Sequence, residues 1–233
     1  LRFVFLTGVS KFSQVSIFSD LNNLNDLTLD PNYVTLLGYT QEELEHYFGA
    51  EIEQGVEHVT HLQQIKEWYN GYSWDGEHFV YNPFSVLNYF SKKVFQNFWF
   101  STGTPTFLVK QIRQEFEYNW ENLQVSMHAF DNFQLENVSP ETLLFQTGYL
   151  TIKAVDKDQI YTLSYPNKEV KQSLLNYLLA DLSVTHVSRV APGVVQLRNA
   201  LQKYDFDQFM EVINALFAAI PYQIFLAKKE AYY

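Results

Sequence analysis

The sequence predicts a mainly α-helical chain with a small β component, and three observations lead to this prediction. Helix-start signals recur: Asn82-Pro83 and Thr104-Pro105 place a capping residue before a proline, and Thr40 with Glu43 forms a capping box. Strand patterns are few, namely an apolar run at Arg2–Thr7 and a pair of alternating segments within Leu150–Tyr165. With 233 residues, of which 47% are hydrophobic, the chain can form one large domain or two small ones.

Composition narrows the function classes. The formal net charge is −10 and the 16 Lys and Arg residues are scattered, so the surface is expected to repel a phosphate backbone. The chain has no Cys, which rules out disulfides and thiolate metal sites and fits a reducing cytosol. It contains no apolar run of membrane-spanning length and no signal peptide. These features predict a cytoplasmic protein without a membrane partner.

The beginning of the chain has the pattern of a buried strand. Arg2–Thr7 is continuously apolar at its centre, which is typical of a strand buried on both faces of a parallel sheet. Such a strand needs neighbours, and no second strand of this kind follows, so we expect the chain to be part of a larger protein with the missing sheet upstream. Thr7, Ser10 and Lys11 come directly after it, at the edge where α/β sheets bind ligands. An ordinary connecting loop is the alternative, because the P-loop pattern is absent from the sequence.

The aromatic stretch Ile65–Phe107 contains closely spaced turn signals. Asn70-Gly71 is expected to end a helix, and Asp75-Gly76 to form a tight turn between Tyr72–Trp74 and Phe79–Tyr81. The helix that starts at Pro83 is predicted to bury one apolar stripe, made of Phe84, Leu87, Phe90 or Tyr89, and Val94.

Two groups of potential metal ligands are better explained without a metal. Asp20, Asp26 and Asp30 do not have the spacing of a calcium loop, and turn residues in contact with solvent are the preferred interpretation. His58 and His61 lie three residues apart on a predicted helix, but no carboxylate in matching register completes a site, so exposed helix positions are preferred.

Residues 139–183 have the outline of a winged-helix module. Ser139-Pro140 begins a short helix that ends at Gly148, a hairpin turns at Asp156–Asp158, and Asn167 caps a last helix. Such modules bind DNA or serve as lids and protein contacts, and the absence of a basic recognition surface favours the second use. Trp120–Phe133 has only a weak pattern. Farther along, Ala191-Pro192-Gly193 is predicted to break the chain before two helices, Val194–Tyr204 and Asp205–Ala219.

Eight ordered blocks of the sequence carry a family resemblance. They are FLTGVSKFS from Phe5, SDLNNLNDLTLDP from Ser19, GYTQEEL from Gly38, WYNGYSW from Trp68, YNPFSVLNYF from Tyr81, FWFSTGTPTFL from Phe98, LFQTGYLTI from Leu144 and YPNKEVKQS from Tyr165. On these blocks the chain resembles the bacterial AAA-ATPase-like family, in which a P-loop ATPase-like region is usually followed by a PD-(D/E)XK nuclease-like domain. The positions that carry the motif most clearly are Trp68, Tyr69, Asn70, Gly71, Tyr72, Asn82, Pro83, Ser85, Thr102, Gly103 and Pro105.

The resemblance implies that the chain consists of four regions and that the catalytic residues lie in other parts of the parent protein. Residues 1–37 would be the end of the P-loop core, 38–135 a helical lid, 136–190 a winged-helix-like module and 191–233 a helical linker towards the nuclease-like domain. ATP and Mg²⁺ would bind in the parent protein, with Thr7, Ser10 and Lys11 as the polar residues facing the γ-phosphate. No catalytic residue, metal ligand or tightly bound cofactor is expected in the chain itself.

Three functions compete. The first is a lid and partner-contact region of an ATP-dependent protein linked to a nuclease-like domain. The second is DNA binding by the winged-helix module through Lys168 and Lys171. The third is a carbohydrate or small-ligand site built from exposed aromatic rings, for which a buried cluster is the simpler explanation; its residues are Trp68, Tyr69, Tyr72 and Trp74.

Overall fold

The computed structural model describes residues 5, 7–8, 25–53, 58–99, 120–131, 139–182 and 187–218. These ranges are mainly helical with a small β component, as the sequence predicts. The β component is one three-stranded antiparallel sheet. The chain divides into two compact units, Leu1–Lys171 and Gln172–Tyr233. The helices are α1 (Gln41–Glu53), α2 (His58–Tyr69), α3 (Pro83–Lys92), α4 (His128–Asp131), α5 (Pro140–Gln146), α6 (Lys168–Leu182), α7 (Val187–Gln202) and α8 (Phe206–Ala218), and the strands are β1 (Leu123–Ser126), β2 (Thr151–Val155) and β3 (Ile160–Ser164).

Helix α1 begins at the predicted capping box. The Thr40 N–H donates to the Glu43 carboxylate over 2.9 Å, and the Glu43 N–H donates to the Thr40 hydroxyl over 3.2 Å. The two bonds satisfy backbone donors that the first turn of a helix otherwise leaves open. The helix packs with α2 and α3 around a cluster of buried side chains, namely Leu44, Ile52, Ile65, Tyr69, Tyr81, Val86, Tyr89 and Phe98.

Aromatic rings dominate this core. Phe48 and Phe90 stack with their centroids 4.4 Å apart, and Tyr89 and Phe95 stack at 4.5 Å. His61 also belongs to it, because its ring nitrogens contact the Ile52 carbonyl and the Tyr89 hydroxyl. The prediction that His61 is an exposed helix residue was therefore wrong.

Helix α3 begins where predicted but turns a different face inward. Asn82 Oδ1 accepts the N–H groups of Phe84 and Ser85, at 2.9 and 3.3 Å, which confirms the predicted cap. The buried positions are Ser85, Val86 and Tyr89. Phe84, Leu87 and Val94 were predicted to be buried and are instead 44%, 50% and 52% exposed. The physical reason is the hydrogen bond that holds Ser85 inside, described below.

The turn after α2 forms as the glycine signals predict. Gly71 has φ of +113° and Gly76 has φ of +78°, a region that residues with a Cβ rarely adopt. Tyr72 and Val80 form one antiparallel bridge, with N–H to carbonyl distances of 3.2 and 2.9 Å. The predicted hairpin is therefore present as a tight turn closed by a single bridge.

The sheet has the strand order β1-β3-β2, and both pairings are antiparallel. Leu163 of β3 lies opposite Leu123 and Ile152, and a bulge separates Ile152 from Ala154. The β2–β3 hairpin and the Asn167 cap of α6 confirm the sequence pattern, since the Val170 N–H donates to Asn167 Oδ1 over 3.1 Å. Strand β1 and helix α4 lie in the weakly patterned region 120–133.

Helix α7 of the second unit passes through Pro192 without the predicted break. Pro192 lies inside this 16-residue helix and removes a single N–H from it, and the hydrogen bonds on both sides keep the helix continuous. The chain turns at Tyr204, where φ is +56°. Asp205 Oδ1 then accepts the Gln208 N–H over 3.0 Å and begins α8, close to the predicted start.

The two described positions of the first predicted strand do not support it. Phe5 is 49% exposed and Thr7 is exposed, and neither lies in a strand. The other residues of Arg2–Thr7 lie outside the described ranges, as does the helix predicted after Thr104-Pro105. None of the helices in the described ranges combines the length and hydropathy needed to cross a membrane.

Candidate functional site

The best-organised polar site in the first unit is a buried carboxylate at the beginning of α6. Glu169 is fully buried. One of its oxygens accepts the backbone N–H groups of Phe98 and Trp99, at 2.7 and 3.0 Å. The other accepts the Ser85 hydroxyl at 2.8 Å. These four residues, which we call the Glu169 junction, join α3, the segment that follows it and α6.

Burial and hydrogen bonding have opposite effects on the pKa of Glu169. Burial raises the pKa of Glu169, because an apolar environment disfavours the charged form. The donors at Trp99, Ser85 and Phe98 act in the opposite direction on that pKa, because they stabilise the carboxylate. Three donors directed at one carboxylate make the junction a strong link between distant parts of the chain.

A second set of contacts brings the backbone close to the junction. A Cβ at Gly71 would lie 2.0 Å from the carbonyl oxygen of Pro166, so only glycine fits there. Lys153 Nζ donates to that Pro166 carbonyl at 2.9 Å and to the Gly71 carbonyl at 3.1 Å. It also lies 5.4 Å from the centroid of the Phe79 ring. Burial lowers the pKa of Lys153 to about 8.

Tyr72 connects the two sets. Its hydroxyl is buried and lies within hydrogen-bond distance of no partner among the residues that the structure describes. Burial and, next, the negative charge of Glu169 raise the pKa of Tyr72. A Cβ at Gly148 would lie 3.7 Å from the Tyr72 ring and 3.3 Å from the ring of Trp99, so Gly148 lets the two aromatic rings approach the backbone.

Three residues of the 73–78 turn have the types of a catalytic triad without its geometry. The Ser73 hydroxyl donates to Asp75 at 3.1 Å, and His78 Nδ1 contacts the other oxygen of Asp75 at 2.6 Å. A nucleophilic serine must instead bond to the histidine. Burial acts to raise the pKa of Asp75, but hydrogen bonds from His78, Glu77 and Ser73 outweigh it and lower that pKa to about 2. The arrangement stabilises the turn.

The turn is fixed to β2. The Ser73 N–H donates to the Thr151 hydroxyl, which in turn donates to the Ser73 carbonyl, both at 2.7 Å. The Ile152 N–H also donates to the Ser73 carbonyl, at 3.3 Å. The aromatic motif and the hairpin therefore form one scaffold in the first unit.

The structure brings together many of the predicted motif residues, but not as a ligand site. Tyr69 and Asn70 are buried, and Asn82 and Pro83 begin the helix that carries Ser85. The fully buried Tyr69 is not available to stack on a ligand, and Trp68 lies between Phe95 and Lys168. Of the predicted nucleotide-facing residues, Thr7 is exposed. Outside the described ranges lie Ser10, Lys11, Thr102, Gly103 and Pro105.

Sequence reasoning missed the two charged residues that organise the site. Glu169 follows the predicted cap Asn167, where an acidic residue is normally explained by the helix dipole. Lys153 lies on a strand that alternates as expected. A serine on the inner face of α3 was the signal that a polar partner was buried nearby.

The described ranges contain no group of three His, Asp or Glu side chains placed to hold a metal ion. Asp26 and Asp30 act as turn residues, accepting the N–H groups of Thr28 and Asn32 at 3.1 and 2.9 Å. This agrees with the preferred interpretation of these two aspartates. Asp20 lies outside the described ranges.

Comparison with known proteins gives a relative without an assigned activity. No protein-family model matches the chain, and no solved structure matches it. The chain is 40% identical over 242 residues to a protein of Azotobacter chroococcum mcd 1 named "Uncharacterized protein in vnfD 5'region". The match covers 100% of this chain and 46% of that protein, so the chain spans less than half the length of this relative.

Proposed function

We propose that this chain is the lid and winged-helix-like region of an AAA-ATPase-like protein, which couples nucleotide binding to a nuclease-like domain or a protein partner. The Glu169 junction is the observation that carries the proposal. Five of the family-like blocks meet at or beside it, each through at least one of the contacts described above. The residues that contribute are Gly71, Ser85, Phe98, Trp99, Gly148, Thr151 and Glu169.

A coupling role suits such a scaffold. The blocks are far apart in the sequence, yet they meet through buried polar contacts that hold one geometry. A region that transmits a change between two domains has to move as a body, and the buried links between α3, α6 and β2 support that. In this proposal the chain supplies the lid, and the reaction takes place in other parts of the parent protein.

ATP and Mg²⁺ belong to the parent protein in this proposal, with Thr7, Ser10 and Lys11 near the γ-phosphate. The relative offers room for such regions, because more than half of its length lies outside the match. A nuclease-like domain would be the covalently linked partner. The proposed location is the cytoplasm.

The topology of the first unit supports the winged-helix part of the proposal. Helices α4 and α5 lie between β1 and β2 in the sequence, and the strand order β1-β3-β2 is that of a three-stranded wing sheet. Helix α5 has the position of a recognition helix, yet Pro140, Leu144 and Phe145 are buried and its charged residue is Glu141. This favours a lid or protein contact over insertion into a DNA groove.

DNA binding remains the alternative, and it has less support. Lys171 forms an ion pair with Glu121, and Lys168 lies 5.2 Å from the centroid of the Trp68 ring. Both lysines therefore already have contacts within the unit. We expect weak retention of the chain on DNA, unchanged by Lys168→Glu. Salt-sensitive binding that Lys168→Glu and Lys171→Glu abolish would favour the alternative.

Nucleotide binding by the full-length parent protein tests the main proposal. Lys11→Ala is expected to weaken ATP binding, measured by calorimetry, because it removes a cation near the phosphates. Lys157→Ala is the matched control, since Lys157 is exposed in the turn between β2 and β3. The parent gene is expected to encode a Walker A loop upstream of Leu1. A parent without that loop, or equal ATP affinity in both variants and the wild type, would refute the proposal.

A further inference from the structure

The second unit contains a helical hairpin whose helices meet along a narrow stripe. Gly193, in the first half of α7, is close to Leu216, near the end of α8, because a Cβ at Gly193 would lie 3.7 Å from the Leu216 side chain. The helices are therefore antiparallel, joined by the short turn at 203–205. The positions that face the partner helix are partly or fully buried: Gly193 and Ala200 on α7, and Phe209, Val212 and Leu216 on α8.

Each helix also has a second apolar stripe, and its side chains are exposed. On α7 it contains Val194 and Leu201, which are 43% and 49% exposed. On α8 it contains Phe206, Met210 and Phe217, which are 62%, 51% and 61% exposed. An α-helix advances about 100° per residue, so both stripes lie about 90° from the stripe facing the partner helix.

The two exposed stripes lie on the same side of the hairpin. On both helices, the rotation of about 90° from the stripe that faces the partner helix to the exposed stripe follows the direction of increasing residue number. Because the helices are antiparallel, equal rotations in that direction bring both stripes to one side. They form a continuous apolar surface, which we call the outer face. Monomeric proteins rarely leave such a surface uncovered.

Two apolar stripes at right angles are the pattern of a helix in a four-helix bundle. Each helix of a bundle touches two neighbours, and the residues between its two stripes point to the centre. Leu197 on α7 and Ile213 on α8 lie between the stripes of their helices. The hairpin is thus half of a bundle, and an identical hairpin would supply the other half.

The charges of the hairpin select one arrangement of the two halves. Between residues 192 and 218, α7 and the first residue of the turn carry only positive charges, on Arg198 and Lys203. Helix α8 and the residue that caps it carry only negative charges, on Asp205, Asp207 and Glu211. A two-fold axis parallel to the helices places each α7 between two α8 helices, so that opposite charges alternate around the bundle. A perpendicular axis places like helices side by side, where their charges repel.

We propose that the chain forms a symmetric dimer through the outer face, as a four-helix bundle with its two-fold axis parallel to the helices. Closed symmetry of this kind is common, and each outer-face residue contributes twice to the interface. The proposal concerns this chain's own assembly and is independent of the function proposed above.

Light scattering on the full chain tests the interface. At about 50 µM, well above the dissociation constant of a specific interface, the wild type is expected to have twice the 27.4 kDa mass of one chain. Met210→Lys is expected to raise the dissociation constant by about 100-fold or more, because it places a cation in both copies of the outer face. The control is Gln208→Lys, which adds the same charge on the opposite side of α8. A monomeric wild type, or equal effects of both variants, would overturn the proposal.

Cysteine cross-linking tests the arrangement and does not depend on a folded Met210→Lys variant. The chain has no cysteine. With the two-fold axis parallel to the helices, Leu201 of one copy lies near Met210 of the other, while identical positions are diagonal across the bundle. A mixture of Leu201→Cys and Met210→Cys chains is expected to form a disulfide-linked dimer on mild oxidation, and each chain alone is not. No link in the mixture, or equal links in each chain alone, contradicts this arrangement.

Discussion

Removing the Glu169 side chain takes away the acceptor that three donors share, and two of these donors are buried. In Glu169→Ala the Ser85 hydroxyl and the N–H groups of Phe98 and Trp99 all lose this carboxylate as an acceptor. A buried polar group left unsatisfied costs about 1–3 kcal/mol, and the cost is not fully additive for neighbouring groups. We therefore expect the free energy of unfolding to fall by about 3–6 kcal/mol. Helix propensity does not explain such a loss, because alanine is the best helix former.

Glu169→Gln separates hydrogen bonding from charge. The glutamine oxygen can still accept from the backbone of Phe98 and Trp99, and its amide can donate to the Ser85 hydroxyl. We expect a loss of about 1 kcal/mol, because neutral hydrogen bonds replace charge-assisted ones. Glu121→Ala is the control: Glu121 forms an exposed ion pair with Lys171, and such pairs contribute about 0–1 kcal/mol.

Urea unfolding at pH 7, followed by far-UV circular dichroism, measures all three variants. The expected order of stability is wild type, then Glu121→Ala and Glu169→Gln close together, then Glu169→Ala well below. The slope with urea should stay constant, which shows that the native and unfolded states keep their compactness. If Glu169→Ala were no less stable than Glu121→Ala, the junction would not hold the unit together.

Three further predictions follow from contacts in the first unit. Gly71→Ala should lower the free energy of unfolding by about 2 kcal/mol or more, because Gly71 has a positive φ and a close contact with the backbone. Gly49→Ala is the control and should be neutral or stabilising, because Gly49 has open space around it. Urea unfolding compares the two variants. The Asp75 pKa of about 2 lies below its ordinary value of 3.8, so this carboxylate stabilises the fold above about pH 4 and loses its effect as the pH falls towards 2. Asp75→Asn should therefore make the free energy of unfolding less dependent on pH between 4 and 2. The same pH dependence in the variant and the wild type would contradict this prediction. Burial lowers the Lys153 pKa from its ordinary value of 10.5 to about 8, so between these pH values the folded state binds fewer protons than the unfolded state. The stability of the wild type relative to Lys153→Met should therefore rise from pH 8 to 10.5. Thermal unfolding at several pH values checks the sign of this change.

Local signals in the sequence predicted much of the fold correctly. The capping box at Thr40, the caps at Asn82 and Asn167 and the helix end at Gly148 depend on bonds within a few residues. Their chemistry is therefore visible without the tertiary structure. The hairpin β2–β3 was predicted for the same reason, since its turn and alternating strands are adjacent in the sequence.

Predictions that depend on distant partners were less successful. The inner face of α3 was assigned from its apolar residues, but a carboxylate 84 residues away turns Ser85 inward. The Glu169 site was missed because nothing near Glu169 in the sequence announces its three donors. A buried polar pair follows no hydrophobic period, so periodicity alone does not find it.

The order in which the chain is synthesised has a consequence for the junction. Its bonds join residues 71 and 84 positions apart, and the Ser73–Thr151 contact spans 78. On a translating ribosome, α3 and the 73–78 turn emerge long before α6 does. Until α6 has been synthesised, the polar groups that these segments later bury are exposed to water. The unit therefore completes its fold only after α6 has been translated, and a nascent chain stalled before Glu169 should be protease-sensitive and should engage chaperones.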